Sequence, residues 1–144
     1  MKTTLSFALL IGSFITITCD AQKIDASKVP ASVSASFTKE FPSVKKIAWE
    51  KEGKGFEAGF NQDGKEMSAV FDKDGTLKET ETTIKTTELP QAATEYIAQH
   101  YKGSKIKEAA LIKKSNGEIN YEAEVNKTDY LFNSKGEFIK AVKD

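Results

Sequence analysis

The apolar positions of the chain change period in the same way twice. Val33, Phe37 and Phe41 recur every fourth residue, and so do Leu89, Ala93, Ile97 and Tyr101, so that each set makes one stripe along a helix. Pro30 and Pro90 stand where these helices should begin, a position at which the missing N–H has no intrahelical partner to lose. Pro42 and Gly103 should end them. After each stripe the period becomes two. Ile47 and Trp49 share a parity, as do Phe56, Ala58 and Phe60, then Met67, Ala69 and Phe71, followed by Leu77. Ala109 and Leu111 begin the second series, continued by Tyr121, Ala123 and Val125, by Tyr130 and Phe132, and by Phe138 and Val142. Such alternation predicts antiparallel strands with one face against a helix and one facing water. The short links "EGKG", "NQDGK" and "DKDG" have the composition of hairpin turns.

The two series align residue by residue. Pro30 matches Pro90, Phe37 matches Ile97 and Phe41 matches Tyr101; "FEAGFN" matches "YEAEVN". "AVFDKDGTLKE" and "YLFNSKGEFIK" then pair Phe71 with Phe132, Gly75 with Gly136 and Leu77 with Phe138. The expected fold is therefore α+β, in two tandem units at 29–84 and 89–144, joined by a linker at 85–88. Each unit is a helix on about four antiparallel strands, and the strands are expected to form one combined sheet with an open face. Residues 22–28 read as an N-terminal linker.

The first 21 residues read as a signal peptide. Lys2 supplies positive charge, Leu5 to Thr18 supply an apolar run, and small residues at Cys19 and Ala21 suit cleavage before Gln22. The run is shorter than a membrane span needs. Cys19 leaves an alternative, a lipoprotein anchored through that thiol, although Thr16 and Thr18 fit the lipidation pattern poorly. Cleavage after Ala21 would remove the only Cys and leave no thiol chemistry and no disulfide. An exported chain, periplasmic or extracellular, is the expectation.

Charge narrows the partners. The 21 basic residues are all Lys and balance 21 acids, so no long-range field favours nucleic acid or an anionic membrane. The absence of Arg removes the bidentate reader of phosphate and guanine. The order of elements and the tandem motifs resemble the PepSY-like, beta-lactamase-inhibitor-like family of exported proteins, found largely in Bacteroidota. "VP" and "LP" at the helix starts, "FP" at the end of the first helix, "IAWEKEG" and "FEAGFNQDGKEMSAVFDKDGTLKE" carry the resemblance. It implies tandem α/β units, an open sheet face and a non-enzymatic role, with no catalytic set or cofactor to transfer.

Candidate chemistry is sparse. Asp72, Asp74 and Gly75 look like part of a calcium loop, but the first ligand position falls on Val70, and the second copy has Leu131 and Lys135 there. What both copies keep is Gly, as a hairpin turn requires. His100 is the sole His, stands opposite Glu40 in the repeat, and has no nucleophile or acid placed with it by the sequence. Trp49 falls on the core parity. Glu50, Glu52, Glu57, Glu66, Glu122 and Glu124 alternate with Lys and read as a solvated sheet surface; a carboxylate hydrolase built on them is a remote alternative. Parity places Lys46, Ala48, Glu50, Glu57, Ser68, Val70 and Lys78 on the open face of the first unit. In the second it places Ile106, Ala110, Ile112, Leu131, Ile139 and Ala141 there, an apolar surface expected to dock an unknown protein or peptide of the cell envelope.

Overall fold

A computed structural model of the chain describes residues 22–143. The signal peptide at 1–21, and with it Cys19, lies outside the described residues. Nine strands run in sequence order across a single antiparallel sheet: β1 (Gln22–Ile24), β2 (Ile47–Glu52), β3 (Gly55–Gln62), β4 (Lys65–Asp72), β5 (Leu77–Ile84), β6 (Glu108–Lys114), β7 (Ile119–Val125), β8 (Thr128–Asn133) and β9 (Phe138–Lys143). Helices α1 (Ala31–Glu40) and α2 (Gln91–His100) interrupt the meander after β1 and after β5. The fold is thus mixed but mostly sheet. β5 pairs directly with β6, with Thr82 opposite Leu111 and Ile84 opposite Ala109. The backbone hydrogen bonds therefore continue across the point where the sequence suggested two units, and the sheet has no internal edge there.

Residues 22–28, read from sequence as a linker, contain β1 and a one-turn 3₁₀ segment at Ala26–Lys28, capped by Asp25 Oδ1 accepting from Ser27 N at 2.9 Å. A second 3₁₀ turn at Thr86–Glu88 precedes α2, where Glu88 Oε2 accepts from Lys85 N at 2.9 Å. Each helix then starts at its proline. Pro30 O accepts from Val33 N and Ser34 N, and Pro90 O from Ala93 N and Thr94 N. The proline needs no donor of its own at this position, so the sequence is consistent with the local geometry.

Both helices lie on one face of the sheet. Val33 and Phe37 of α1 pack on Trp49, Ala58, Phe60, Ala69 and Phe71. Phe37 sits among four rings, with centroids 5.1 Å from Phe41 and Phe60, 5.5 Å from Trp49 and 6.3 Å from Phe71. Ala93 and Ile97 of α2 pack on Ala109, Ala123, Val125, Tyr130 and Phe132. The small alanines on the strands let each helix approach closely while the large rings fill the flanks.

Two register shifts fix what faces away from the helices. On β4 and β5, Val70 is opposite Glu79 but Phe71 is opposite Leu77, so Lys78 is the extra residue of a bulge. On β8 and β9, Leu131 is opposite Lys140 but Phe132 is opposite Phe138, which makes Ile139 the extra residue. A one-residue insertion inverts every side chain beyond it. Val142 consequently stands opposite Asp129 on the helix-free face, not on the core parity that simple alternation from Phe138 assigns it.

Candidate functional site

The helix-free face can be read in rows across the strands. One row runs Glu50, Glu57, Val70, Glu79 and Lys114. The next runs Gly59, Ser68, Glu81, Ile112 and Asn120, and a third runs Thr83, Ala110, Glu122, Leu131 and Lys140. Every strand from β2 to β8 contributes at least one acid. The charge-balanced chain therefore presents an acidic face here. Glu50 is directly opposite Glu57, and Glu124 is directly opposite both Glu108 and Asp129, which are repulsive cross-strand pairs. Lys107 relieves the latter group, reaching Glu124 at 3.4 Å and Glu108 at 3.6 Å.

Although no helix covers this face, its centre is buried. Glu57 is 4% exposed, Glu79 7% and Glu81 3%. Glu81 of β5 feels the charge of Asp129 of β8, three strands away. Side chains of neighbouring strands shield these carboxyls from water.

Burial here acts on ionisable groups. Desolvation, followed by the charges of Glu52, Glu50 and Glu79 against a favourable Ser68 hydroxyl, pushes the Glu57 carboxyl up to about 8. Desolvation and Glu52 raise Glu79 to about 7, against the opposing pull of Lys114 and Lys140. Glu81 is held well above the ordinary carboxylate range by burial, then by Glu122, Glu57, Glu79 and Asp129. Of the acids that alternation with Lys placed on a solvated surface, Glu57 is buried, while Glu66 is exposed as expected. Glu79 and Glu81 escaped the sequence reading because the bulge at Lys78 shifts them onto this face; the spacing in "ETET", with acids at every second position, was the available signal.

The apolar residues expected on this face divide. Ala110, Ile112 and Leu131 are on it, but buried in its floor. Ile106 packs into the core beneath α2. Ala141 is opposite Tyr130 and so on the helix side, and Ile139 projects from the bulge, 46% exposed. Uncorrected alternation through β9 is the physical reason for both displacements. In the first half, Lys78 is likewise the bulge residue.

The calcium-like stretch is a turn. Asp74 Oδ1 accepts from Thr76 N at 2.9 Å, which lowers the Asp74 pKa, and Asp72 pairs with Lys78 at 3.4 Å. In the second copy Asn133 Oδ1 accepts from Lys135 N and Glu137 N. Among the described residues no group of three or more His, Cys, Asp or Glu is arranged to hold a metal ion. Millimolar calcium is expected to leave the melting temperature unchanged; a calcium-dependent rise abolished by Asp74→Asn would overturn this assignment. His100 is exposed, with Nδ1 2.8 Å from Tyr96 O and its ring stacked on Tyr96 at 4.0 Å. Trp49 is in the core.

The model of a family described as beta-lactamase-inhibitor-like and PepSY-like matches residues 11–79 and again 54–140. A protein of family DUF2874 from Bacteroides uniformis is 25% identical and superposes with a TM-score of 0.69, covering 78% of this chain and 88% of its own. A BLIP-like protein of Bacteroides fragilis is 23% identical with a TM-score of 0.60, over 80% of this chain and 88% of its own. A third, from Bacteroides eggerthii and provisionally described as periplasmic, is 20% identical with a TM-score of 0.70, over 79% and 88%. No curated protein matches the sequence. Among the described residues no helix is long and apolar enough to cross a membrane.

Proposed function

The chain belongs to the beta-lactamase-inhibitor-like, PepSY-like family, and from that premise we propose that it is a non-catalytic, exported binding protein that docks a protein or peptide on the open, helix-free face of its sheet. The observation that carries this reading is the helix-free face itself. A sheet whose one side is sealed by α1 and α2 presents the other as a continuous surface, and that surface concentrates charge which the rest of the chain neutralises. The matched family and the provisional periplasmic description of a relative of like fold support export, as does the signal-like N-terminus. The double match of the family model and the repeated order of helix and four strands support an origin by tandem duplication.

Site-specific photocrosslinking tests the docking face. p-Benzoylphenylalanine placed at Glu66 or Glu124, on the helix-free face, is expected to capture the same envelope partner. The same group at Lys39 or Glu95, on the outer surfaces of α1 and α2, is expected to capture none. Equal capture from both sides, or none from Glu66 and Glu124, would sink the proposal.

A further inference from the structure

The two edges of the sheet differ. β1 has three residues, whereas β9 is a full strand whose outer side meets no other strand among the described residues. We propose that β9 takes up an extended, acidic segment of a partner protein there, as a further antiparallel strand. This site is the rim of the sheet, apart from the docking face above, and does not rest on that reading.

Composition runs against burial at this rim. β5, inside the sheet, reads LKETETTI, while its counterpart β9, at the edge, reads FIKAVK. The polar strand is covered and the more apolar one is not, the reverse of what an edge in water selects. The two exposed large apolar side chains among the described residues are Phe138, at 40%, and Ile139, at 46%, both on β9. Phe138 continues an aromatic stack through Tyr96 to His100, with centroids 4.7 and 4.0 Å apart. Exposed apolar side chains grouped in this way mark a contact surface.

The first half of the fold shows what such an edge holds. β5 stands to the first half as β9 does to the second, bulge included, and β5 receives β6 antiparallel, with Glu79 opposite Lys114 and Glu81 opposite Ile112. β1 repeats the pairing on β2, where Ile24 is opposite Trp49 as Ile84 is opposite Ala109. The bulge is no obstacle, because Ser115 N donates to the carbonyl of the bulge residue Lys78 at 2.7 Å. Hydrogen-bonding groups alternate along a strand, so Thr80 and Thr82 also point toward β6. On β9 the corresponding N–H and C=O groups belong to Ile139, Ala141 and Lys143, and they face outward.

Charge selects the occupant. Lys140 stands where β5 has Glu79, so the place that Lys114 takes opposite Glu79 calls for an acid. β9 contains two lysines and no acid, and a second β9 would oppose like charge with like. Head-to-tail joining of copies fails on the same ground. The counterpart of Lys114 beside β2 is Lys54, again a cation, and β1 already covers β2.

The test titrates the ¹⁵N-labelled protein with acetyl-Thr-Glu-Ile-Thr-Glu-Val-Thr-amide, whose acids fall opposite Lys143 and Lys140 when the central Thr is opposite Ala141. Expected are saturable shifts of the Ile139, Ala141 and Lys143 amides, and solvent exchange at these amides slowed at least about fivefold near saturation. A peptide with Lys in place of both Glu residues should bind at least about fivefold more weakly. Methylating the amide nitrogen of the central Thr removes the donor to Ala141 O and should abolish binding. Ala141→Pro removes the outward N–H at a position an edge strand tolerates, and should abolish binding while leaving the α2 amide signals in place. Undiminished binding of the methylated peptide, shifts confined to the helix-free face at residues such as Glu66, or no shift at several millimolar peptide would overturn the proposal. A protein that sediments as a dimer, with the three outward amides already protected, would assign the edge to a second copy and overturn it too.

Discussion

Raising the pH from about 4.5 to about 8 is expected to lower the stability of this protein, the reverse of ordinary acid denaturation. Glu57 has an ordinary value of 4.5 and a folded value of about 8, and Glu79 a folded value of about 7, both raised mainly by burial. Below 4.5 the carboxyls are protonated whether folded or not, and their favourable contribution is fully present. Between 4.5 and 8 the unfolded chain ionises while the folded one holds its protons, so the folded state binds more protons and loses stability as pH rises. Above about 8 the folded state carries buried charge and the loss is complete. At about 1.4 kcal/mol per unit, the shift of Glu57 alone is worth on the order of 5 kcal/mol, and Glu79 adds a further contribution of the same sign, together a large share of a domain's total stability. Exposed acids with lowered values, such as Asp74 and Glu118, act in the opposite sense but below their ordinary values, outside this window. Urea denaturation across the pH range checks the slope. Glu57→Gln should flatten it and leave the variant more stable than the parent at pH 8. A parent profile that is flat or rising from pH 5 to pH 8 would show that these carboxyls are solvated.

How much of this could be seen in the sequence depended on the distance over which a rule operates. Local rules succeeded. Fourfold spacing at Val33, Phe37 and Phe41 gave α1, the two prolines gave both helix starts, and twofold spacing through Phe56, Ala58 and Phe60 gave the buried face of β3. One combined sheet was expected and is found, but the strands that join its halves, β5 and β6, were not legible, since pairing between distant strands leaves no mark in either one alone; an "ETETTI" run reads equally well as an exposed linker. The helix-free face was half legible. Ala110, Ile112 and Leu131 were placed on it, yet alternation assigns a side chain to a face without saying whether its neighbours across the sheet cover it, and that decides whether Glu57 is wet or buried. Both bulges fall one turn away from the repeated glycines, where a single extra residue reverses the parity of Glu79, Glu81 and Ala141. The repeat therefore revealed the turn while concealing the shift beside it.

That turn is where a single methyl group should do the most harm. Gly75→Ala is expected to destabilise the protein by about 3 kcal/mol, from two causes of similar size. Gly75 has φ +90°, a conformation that costs an L side chain about 1–2 kcal/mol. A Cβ there would also lie 2.6 Å from Ser32 O and 2.9 Å from Ser36 Oγ, in the first turns of α1. Backbone on one side and a packed helix on the other leave little room to relax, and overpacking of this kind costs about 1–3 kcal/mol. Gly136 occupies the same place under α2, with φ +82° and a Cβ position 2.8 Å from Ala93 N and Pro90 Cβ. Each glycine thus lets a hairpin turn touch the start of a helix, and Ser32 Oγ donates to Lys73 O at 3.0 Å to hold the first contact. Gly117 separates the two causes, since its φ is +86° but a Cβ there meets nothing within 4 Å. Gly117→Ala should cost only the conformational part, about 1–2 kcal/mol. Thermal melts should then show Gly75→Ala and Gly136→Ala lowered by roughly 10 °C and Gly117→Ala by roughly half as much. Equal losses at all three would mean that the turns do not brace the helices. Unequal ones would establish that the glycine shared by "FDKDG" and "FNSKG" serves the approach of the helix over it.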